Sequence, residues 1–353
     1  MGLKTDKVSF LLNWKATPYH IAVFLAQKQG LFQKEGIEVA ILEPNDPSDV
    51  TDMIGSGNVD LGAKAMIHSI AAKAKGYDVT AIGSLMQEPF TGVIYLKGSG
   101  IDGTFQSLKG KRVGYVGHFG KIQLDELTGH FGMSPDDYTA VRTGMHMVDA
   151  IKRGEIDAGI GIESVNQVEL EEWLKEQGRD PTDVQMMRID TLAELGCCCF
   201  CSILILANDE FLARAPEKAR AFLRAVKGAS DQLFANPQKA WEEYKRFKPE
   251  MNTALNERIF ERCFVYMSTD AANVPRDWTK VTNYSKRLGI VPQDFKPNYT
   301  NDFLSWTPDD PQDERAEEKQ LEIAQIQKDV AAGKRSALKN GVPLPVVQLA
   351  AAS

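Results

Sequence analysis

Strand-like and helix-like segments alternate along the N-terminal part of the chain, and this alternation restricts the fold more than any other feature. Residues 8–12 and 37–42 are apolar runs of strand length, and residues 19–30 have the spacing of an amphipathic helix that ends at a glycine. Residues 47–55 are predicted to form a second helix, with Ser48 near its cap. A βαβα order favours a parallel sheet covered by helices.

A six-residue motif occurs twice and indicates two such units. The segment GNVDLG at 57–62 recurs as GEIDAG at 154–159, each time after a helix-like stretch. We therefore predict an α/β fold of two lobes with a cleft between them, in which a helix ends at glycine and leads into a short strand in each lobe.

Two further strand-like segments, 91–98 and 197–207, are predicted to connect the lobes. This assigns 1–98 and 202–305 to lobe one and 99–201 to lobe two. The remaining residues, 306–353, are predicted to form a helical extension and a tail.

Composition and charge narrow the class of protein. The 353 residues are enough for two lobes, and the net charge of −7, without a long Lys/Arg block, argues against a nucleic-acid partner. No run approaches the roughly 20 apolar residues of a membrane span. The first residues lead into a short apolar segment without a small-residue cleavage site, so we expect a cytoplasmic protein with no membrane partner.

Lys64 and His68 are the first candidates for chemistry. We predict a helix over 62–74, in which their spacing of four residues would bring the ammonium and the imidazole to one face. Lys64 has small apolar neighbours, as a lysine with a lowered pKa and aldehyde chemistry requires. The ordinary alternative is a solvated lysine beside a histidine that caps a neighbouring element.

A glycine-rich segment at 114–121 follows a strand-like stretch and precedes a helix predicted to begin near Lys121. Its turn would be formed by Gly117, His118, Phe119 and Gly120. Free backbone N–H groups and the positive end of a helix dipole can bind a phosphate there, and His118 could add a donor. Alternatively, the glycines serve only to make the turn.

Four of the five cysteines lie within five consecutive positions, which packing hardly explains. In an extended segment Cys197, Cys199 and Cys201 would point to one face and Cys198 to the other. Clustered thiolates bind soft or borderline metals such as iron or zinc, whereas a run this tight could close only strained disulfide loops. A structural strand is the alternative, because cysteine is also a common buried residue.

Asn13 and Trp14 follow the first predicted strand, at the sheet edge where α/β proteins bind ligands. Trp14 could stack on a planar ring, and Asn13 or His20 could form a hydrogen bond with it. The alternative is that Trp14 covers the core as an aromatic lid.

Taken together and in this order, these segments resemble the hydroxymethylpyrimidine phosphate synthases of fungal thiamine biosynthesis, a family with the periplasmic-binding-protein type II fold. The resemblance extends over about residues 7–306, and the cysteine run is its most specific part. The matching motifs are FLLNW at 10–14, TPYH at 17–20, ILEP at 41–44, KAMIH at 64–68, EPFTG at 88–92, GIGIE at 159–163 and CCCFC at 197–201.

The resemblance implies a single-turnover, transferase-type enzyme that acts as a homodimer. Lys64 would hold pyridoxal 5′-phosphate as a Schiff base, 117–120 would bind its phosphate, and His68 would supply atoms to the pyrimidine in a reaction that needs iron and dioxygen. From their place at the end of the first strand, Asn13 and Trp14 are expected to contact the cofactor. The iron site would consist of Cys197, Cys198, Cys199 and Cys201. The family's phosphate loop has a glutamate where this chain has His118.

Two other functions fit the same fold. A solute-binding protein for a pyrimidine-like molecule would need neither the lysine–histidine pair nor the cysteine run. A conventional multiple-turnover pyridoxal phosphate enzyme would need a partner for the pyridine nitrogen, which the sequence does not identify. The sequence therefore favours the single-turnover synthase.

Overall fold

The computed structural model describes residues 6–189, 201–308 and 316–339. In these ranges the chain forms two five-stranded mixed sheets covered by helices. The strands are β1 (Asp6–Leu11), β2 (Ile37–Leu42), β3 (Leu61–Ala65), β4 (Val79–Met86), β5 (Thr91–Leu96), β6 (Arg112–Tyr115), β7 (Thr139–Arg142), β8 (Ala158–Ile162), β9 (Val184–Arg188) and β10 (Ile203–Asn208). The α-helices are α1 (Ile21–Lys28), α2 (Leu31–Lys34), α3 (Val50–Gly55), α4 (Met66–Ala74), α5 (His118–His130), α6 (Met147–Lys152), α7 (Val168–Glu176), α8 (Asp209–Arg214), α9 (Pro216–Ala235), α10 (Pro237–Phe247), α11 (Ala254–Phe264), α12 (Pro275–Arg287) and α13 (Ala316–Ala331).

The strand order is equivalent in the two sheets, and the repeated motif accounts for this. Sheet one has the order β2-β1-β3-β10-β4, and sheet two has the order β7-β6-β8-β5-β9. In each sheet the first three strands are parallel, and the fourth is antiparallel to both of its neighbours. The two copies of the motif lead into β3 and β8, the central strands. The two-lobed α/β prediction is confirmed.

In the order of the described strands, the chain crosses between the sheets twice, from β4 to β5 and from β9 to β10. Both hydrogen-bonded neighbours of β5 belong to sheet two, although the sequence division at residue 98 placed this strand in lobe one. A strand with neighbours on both sides is apolar along its whole length, so its composition does not indicate which sheet it joins. The lobe limits as a whole stay a prediction.

The helical C-terminal part packs on lobe one. Trp241 of α10 stacks on Phe260 of α11, with ring centroids 4.7 Å apart, inside the largest apolar cluster. Helix α13, in the predicted extension, adds Ile323 and Ile326 to the same cluster. Gln327 of α13 donates a hydrogen bond to the main-chain oxygen of Arg262 at 2.7 Å. Among the described residues, no helix is both long and apolar enough to cross a membrane.

Ion pairs join the two lobes. Arg142, at the end of β7, lies 2.6 Å from Asp46 of lobe one. Arg262 of α11 pairs with Glu163, which directly follows β8, and both side chains are buried. Breaking a buried pair leaves an uncompensated charge, so Arg262 and Glu163 oppose separation of the lobes.

Candidate active site

A cavity of about 140 Å³ lies between the lobes, and its wall is largely apolar. It brings together side chains that are far apart in the sequence. From lobe one it is lined by Asn13, Trp14, Tyr19, Pro47, Lys64, Ala65, His68 and Ile203, and from lobe two by Thr91, Val116, Gly120, Gln123, Ile160, Gly161, Ile162, Val165 and Asn166. Cys201, which comes two residues before β10 in the second crossover, also lines it.

Lys64 lies on a strand and not on the predicted helix. It belongs to β3, where it is paired with Leu204 of β10, and α4 begins only at Met66. Lys64 and His68 therefore do not share a helix face, and they reach one cavity because the chain turns from strand to helix between them. Small residues such as those around Lys64 fit a helix or a strand, and pairing with the neighbouring strands makes this segment a strand.

The Lys64 amine is buried, with 4% of its surface exposed, and it contacts the main-chain oxygen of Pro47. Burial lowers the pKa of Lys64 from 10.5 to about 8, and the charges of Asp46, Asp49 and Asp52 only partly oppose this shift. An appreciable fraction of the amine is therefore neutral near pH 8, and the neutral form is the nucleophile.

His68 is half-buried in the first turn of α4. Burial lowers its pKa well below 6.5, and the nearby charge of Lys64 adds to this effect. The imidazole is therefore neutral at physiological pH. One of its ring nitrogens then keeps a lone pair, which an imidazolium lacks.

The predicted phosphate-binding turn is the first turn of a helix. Helix α5 begins at His118, three residues before the predicted start, and Gly117 is its N-cap. The first N–H groups of a helix have no partner within it and lie at the positive end of its dipole. Gly120 lines the cavity, and Gly117 lines a smaller one beside Lys64 and His68. The side chains of His118 and Phe119 lie outside the described part of the structure.

The backbone at Gly117 closely approaches lobe one. A Cβ atom at this position would lie 2.5 Å from Ser48 Oγ, well inside normal contact distance. A residue with a side chain would force Ser48 to move or the lobes to separate. Gly117 thus permits the close approach of the lobes at the edge of the site.

Asn13 and Trp14 line the cavity, but His20 does not. The His20 ring is fully buried, with Nε2 2.8 Å from Asn13 Oδ1. Asn13 Nδ2 donates a hydrogen bond to Tyr19 Oη at 3.1 Å. Tyr19 lines the cavity, although sequence reasoning had not singled it out.

Cys201 is the member of the cysteine run that the structure describes, and it lines the cavity. Burial raises the pKa of its thiol. The other three predicted iron ligands, Cys197, Cys198 and Cys199, lie outside the described residues. Within the described ranges, no three His, Cys, Asp or Glu side chains come together as a metal site. The iron site therefore stays a prediction.

Gln123 is a cavity residue that sequence reasoning missed. It is 7% exposed, and its Nε2 has no hydrogen-bond partner in the part of the chain that the structure describes. A buried donor without a partner is costly, and this atom can donate to an acceptor on a molecule in the cavity. Its position three residues after Gly120 on α5 places both on one helix face, a spacing that could have identified it.

The architecture and the interlobe cavity define the class as the periplasmic-binding-protein fold. The chain is similar to the alkanesulfonate-binding protein of Xanthomonas axonopodis, with a TM-score of 0.61 and 14% identity over 85% of this chain and 98% of that chain. It is similar to a Candida albicans protein described as having the generic periplasmic binding protein fold, with a TM-score of 0.62 and 15% identity over 87% and 99% of the two chains. Identities this low show the fold alone.

Sequence comparison then identifies the family. The protein-family model described as "NMT1/THI5 like" matches residues 17–240 of this chain. A relative from Aspergillus parasiticus is 62% identical over 93% of this chain and 96% of its own length, and one from Schizosaccharomyces pombe is 60% identical over 93% and 94%. Both are named 4-amino-5-hydroxymethyl-2-methylpyrimidine phosphate synthase. The chain belongs to this family.

Proposed function

We propose that this protein synthesises 4-amino-5-hydroxymethyl-2-methylpyrimidine phosphate for thiamine biosynthesis, and that it consumes pyridoxal 5′-phosphate and its own His68 in a single turnover. The names of its relatives support the product. The observation that carries the proposed chemistry is that Lys64, buried and with a lowered pKa, lines one cavity together with a neutral His68.

The cavity residues fit pyridoxal 5′-phosphate. When bound, this group supplies an electrophilic aldehyde, an anionic phosphate and a planar ring. Lys64 would hold the aldehyde end, and the first turn of α5 would hold the phosphate. Trp14 offers an aromatic face to the ring, and the unpartnered Nε2 of Gln123 offers a donor.

The chain's own residues prepare the site in three ways. Burial keeps part of the Lys64 amine neutral and therefore nucleophilic. His68 stays unprotonated and is held in the same cavity, which replaces an encounter in solution by a fixed arrangement. The close approach of Gly117 to Ser48 holds the first turn of α5 next to lobe one, beside Lys64 and His68.

Product stoichiometry and mass spectrometry test the proposal. The protein is incubated with pyridoxal 5′-phosphate, ferrous iron and air, and product per chain is measured together with intact and peptide masses. We expect at most one product per chain and a mass change confined to the peptide that contains His68. His68→Asn should form no product while still binding pyridoxal 5′-phosphate. More than one product per chain, with His68 unaltered, would indicate a conventional multiple-turnover enzyme.

We further propose that iron binds at the cysteine run. Two observations support this: the family resemblance, and the position of Cys201 in the cavity wall. Replacing Cys197, Cys199 and Cys201 together by Ser should lower bound iron and product yield but leave pyridoxal phosphate binding intact. Cys263→Ser is the matched control, because this buried cysteine lies outside the cavity lining. Unchanged iron content and product would give the run a structural role.

Two finer parts of the proposal concern assembly and location, and the first of them rests on the family resemblance. The protein would act as a homodimer, which sedimentation analysis of the full chain would test. It would act in the cytoplasm, which fractionation of cells would test.

A solute-binding protein is the other candidate, because the solved structures of similar fold include one with that activity in its name. A solute-binding protein would give a different result when it is incubated with its ligand and examined in the same way. Reversible binding of a pyrimidine, without product and without a change in His68, would support it.

A further inference from the structure

His20 is fully buried next to the site, and it occupies a defined place in the turn that starts the first helical segment. The Thr17 N–H donates to His20 Nδ1 at 3.2 Å. A backbone N–H can only donate, so Nδ1 must accept, and the hydrogen of the neutral ring lies on Nε2. Burial lowers the pKa of His20 to about 3, so the ring remains neutral at physiological pH.

This tautomer determines which way the Asn13 amide faces. His20 Nε2–H donates to Asn13 Oδ1 at 2.8 Å, so the amide oxygen must face His20. The amide nitrogen then faces Tyr19 and donates to its Oη at 3.1 Å. Without a donor at position 20, the two orientations of the amide, which have the same shape, would differ much less in energy.

The orientation of Asn13 in turn determines the role of Tyr19. Because Oη accepts from Asn13, the phenolic hydrogen is directed away from Asn13. Tyr19 lines the cavity, where an acceptor on a ligand would compete with the Thr17 hydroxyl oxygen for this hydrogen. Burial raises the pKa of Tyr19, and hydrogen bonds with Thr17 and Asn13 only partly offset this. The phenol therefore keeps its hydrogen.

We propose that His20 is a positioning residue: through Asn13 it makes the Tyr19 hydroxyl a hydrogen-bond donor to an oxygen or nitrogen acceptor on a planar ligand in the cavity. In naming the ligand as pyridoxal 5′-phosphate, the proposal rests on the proposed function. The hydrogen-bond directions depend only on the protein.

Two substitutions at position 20 test the effect on ligand binding. In His20→Gln the amide oxygen can accept from Thr17 and the amide nitrogen can donate to Asn13, and Gln is a usual residue at this position of a capping turn. We expect this variant to bind pyridoxal 5′-phosphate within about twofold of the wild type. His20→Leu removes both contacts and should bind about tenfold more weakly, as expected for one poorly oriented hydrogen bond.

A matched variant separates this effect from a general loss of stability. His20→Leu also removes a capping contact, so Thr253→Ala, which removes the N-cap hydrogen bond of α11 from Asn256 N–H, is the control. It should lower the melting temperature without changing the dissociation constant. Wild-type affinity in His20→Leu would overturn the proposal.

A double-mutant cycle with Tyr19→Phe tests whether His20 acts through Tyr19. If it does, Tyr19→Phe should also weaken binding about tenfold, and the double variant should be no weaker than either single variant. Effects that multiply to about a hundredfold would mean that the two residues act independently and would contradict the proposal.

Nitrogen NMR of the ligand-free protein separates this inference from the proposed function. His20 should show the neutral Nε2–H tautomer from pH 5 to 9, and the Asn13 amide should lose its single orientation in His20→Leu. The Nδ1–H tautomer would overturn the inference even if pyridoxal 5′-phosphate binds. A wild-type protein that does not bind this ligand would overturn the proposed function, and the NMR result would then decide the positioning role.

Discussion

The two lobes are built alike, yet at matching positions of the repeat they bring different side chains to the cavity. Counted from the first glycine of each repeated motif, Lys64 in lobe one corresponds to Gly161 in lobe two, and both line the cavity. In the same way, His68 corresponds to Val165, and both of these residues also line the cavity. Equivalent positions of the repeat therefore line the same cavity, but at these positions lobe one carries an amine and an imidazole, whereas lobe two carries a glycine and a valine.

The reason lies in the geometry of the sheets. Ligands of open α/β sheets bind outside the carboxyl ends of the strands, so the ends of β3 and β8 face the cleft whatever residues they carry. Gly161 has no room for a side chain, because a Cβ atom there would lie 2.7 Å from Asn166 Oδ1 and 2.8 Å from Met147 Cε. The repeat thus determines which positions face the cavity, and the individual residues determine the chemistry.

The largest effect is expected from removing the lobe-one amine. Lys64→Arg and Lys64→Met should both abolish the absorbance change when pyridoxal 5′-phosphate is added, because neither side chain can condense with an aldehyde. Lys64→Met approximates the lysine stem without placing a charge in the buried site. Lys121→Arg is the control, since its amine is already held by both oxygens of Asp125 at 2.6 Å. A retained absorbance band in both Lys64 variants would place the anchor elsewhere.

A second effect should appear in the pH dependence of pyridoxal phosphate binding, measured by stopped-flow absorbance. Only the neutral amine reacts, and Lys64 has a pKa of about 8. The rate should therefore rise about tenfold per pH unit below pH 8 and level off above it. A rate that still rises tenfold between pH 8 and pH 9 would mean that Lys64 titrates as an ordinary exposed lysine, and the contrast between the lobes would lose its electrostatic basis.

The smallest effect concerns the lobe-two counterpart of Lys64. Gly161→Ala should lower the free energy of unfolding by about 1–3 kcal/mol, because its Cβ atom overlaps Asn166 and Met147. Gly129→Ala in α5 has no atom within 4 Å of its Cβ and should instead raise the stability by about 0.5–1 kcal/mol. Urea denaturation measures both. If the two substitutions changed the free energy of unfolding equally, space at the cleft edge would not restrict the residue at position 161.

Much of this organisation could be predicted from sequence, because it depends on local patterns. The strand–helix alternation and the repeated motif indicated two α/β lobes, and the candidates Asn13, Trp14, Lys64 and His68 all line the cavity. The prediction that Lys64 lies on a helix was wrong, because its strand pairs with a distant strand and this pairing overrode the local preference. Gln123 was missed because a buried donor without a partner becomes visible only when the surrounding wall is known.

The sequence by itself determined the βα rhythm, the duplication and the types of reactive groups, because these are properties of neighbouring residues. Only the tertiary structure decided that β5 belongs to the second sheet, that His20 lies behind Asn13 and that Lys64 has a pKa of about 8. Each of these depends on which residues from distant parts of the chain surround a group. Burial and hydrogen-bond direction arise from that three-dimensional environment, and in this protein burial gives Lys64 a lower pKa than a solvated lysine has.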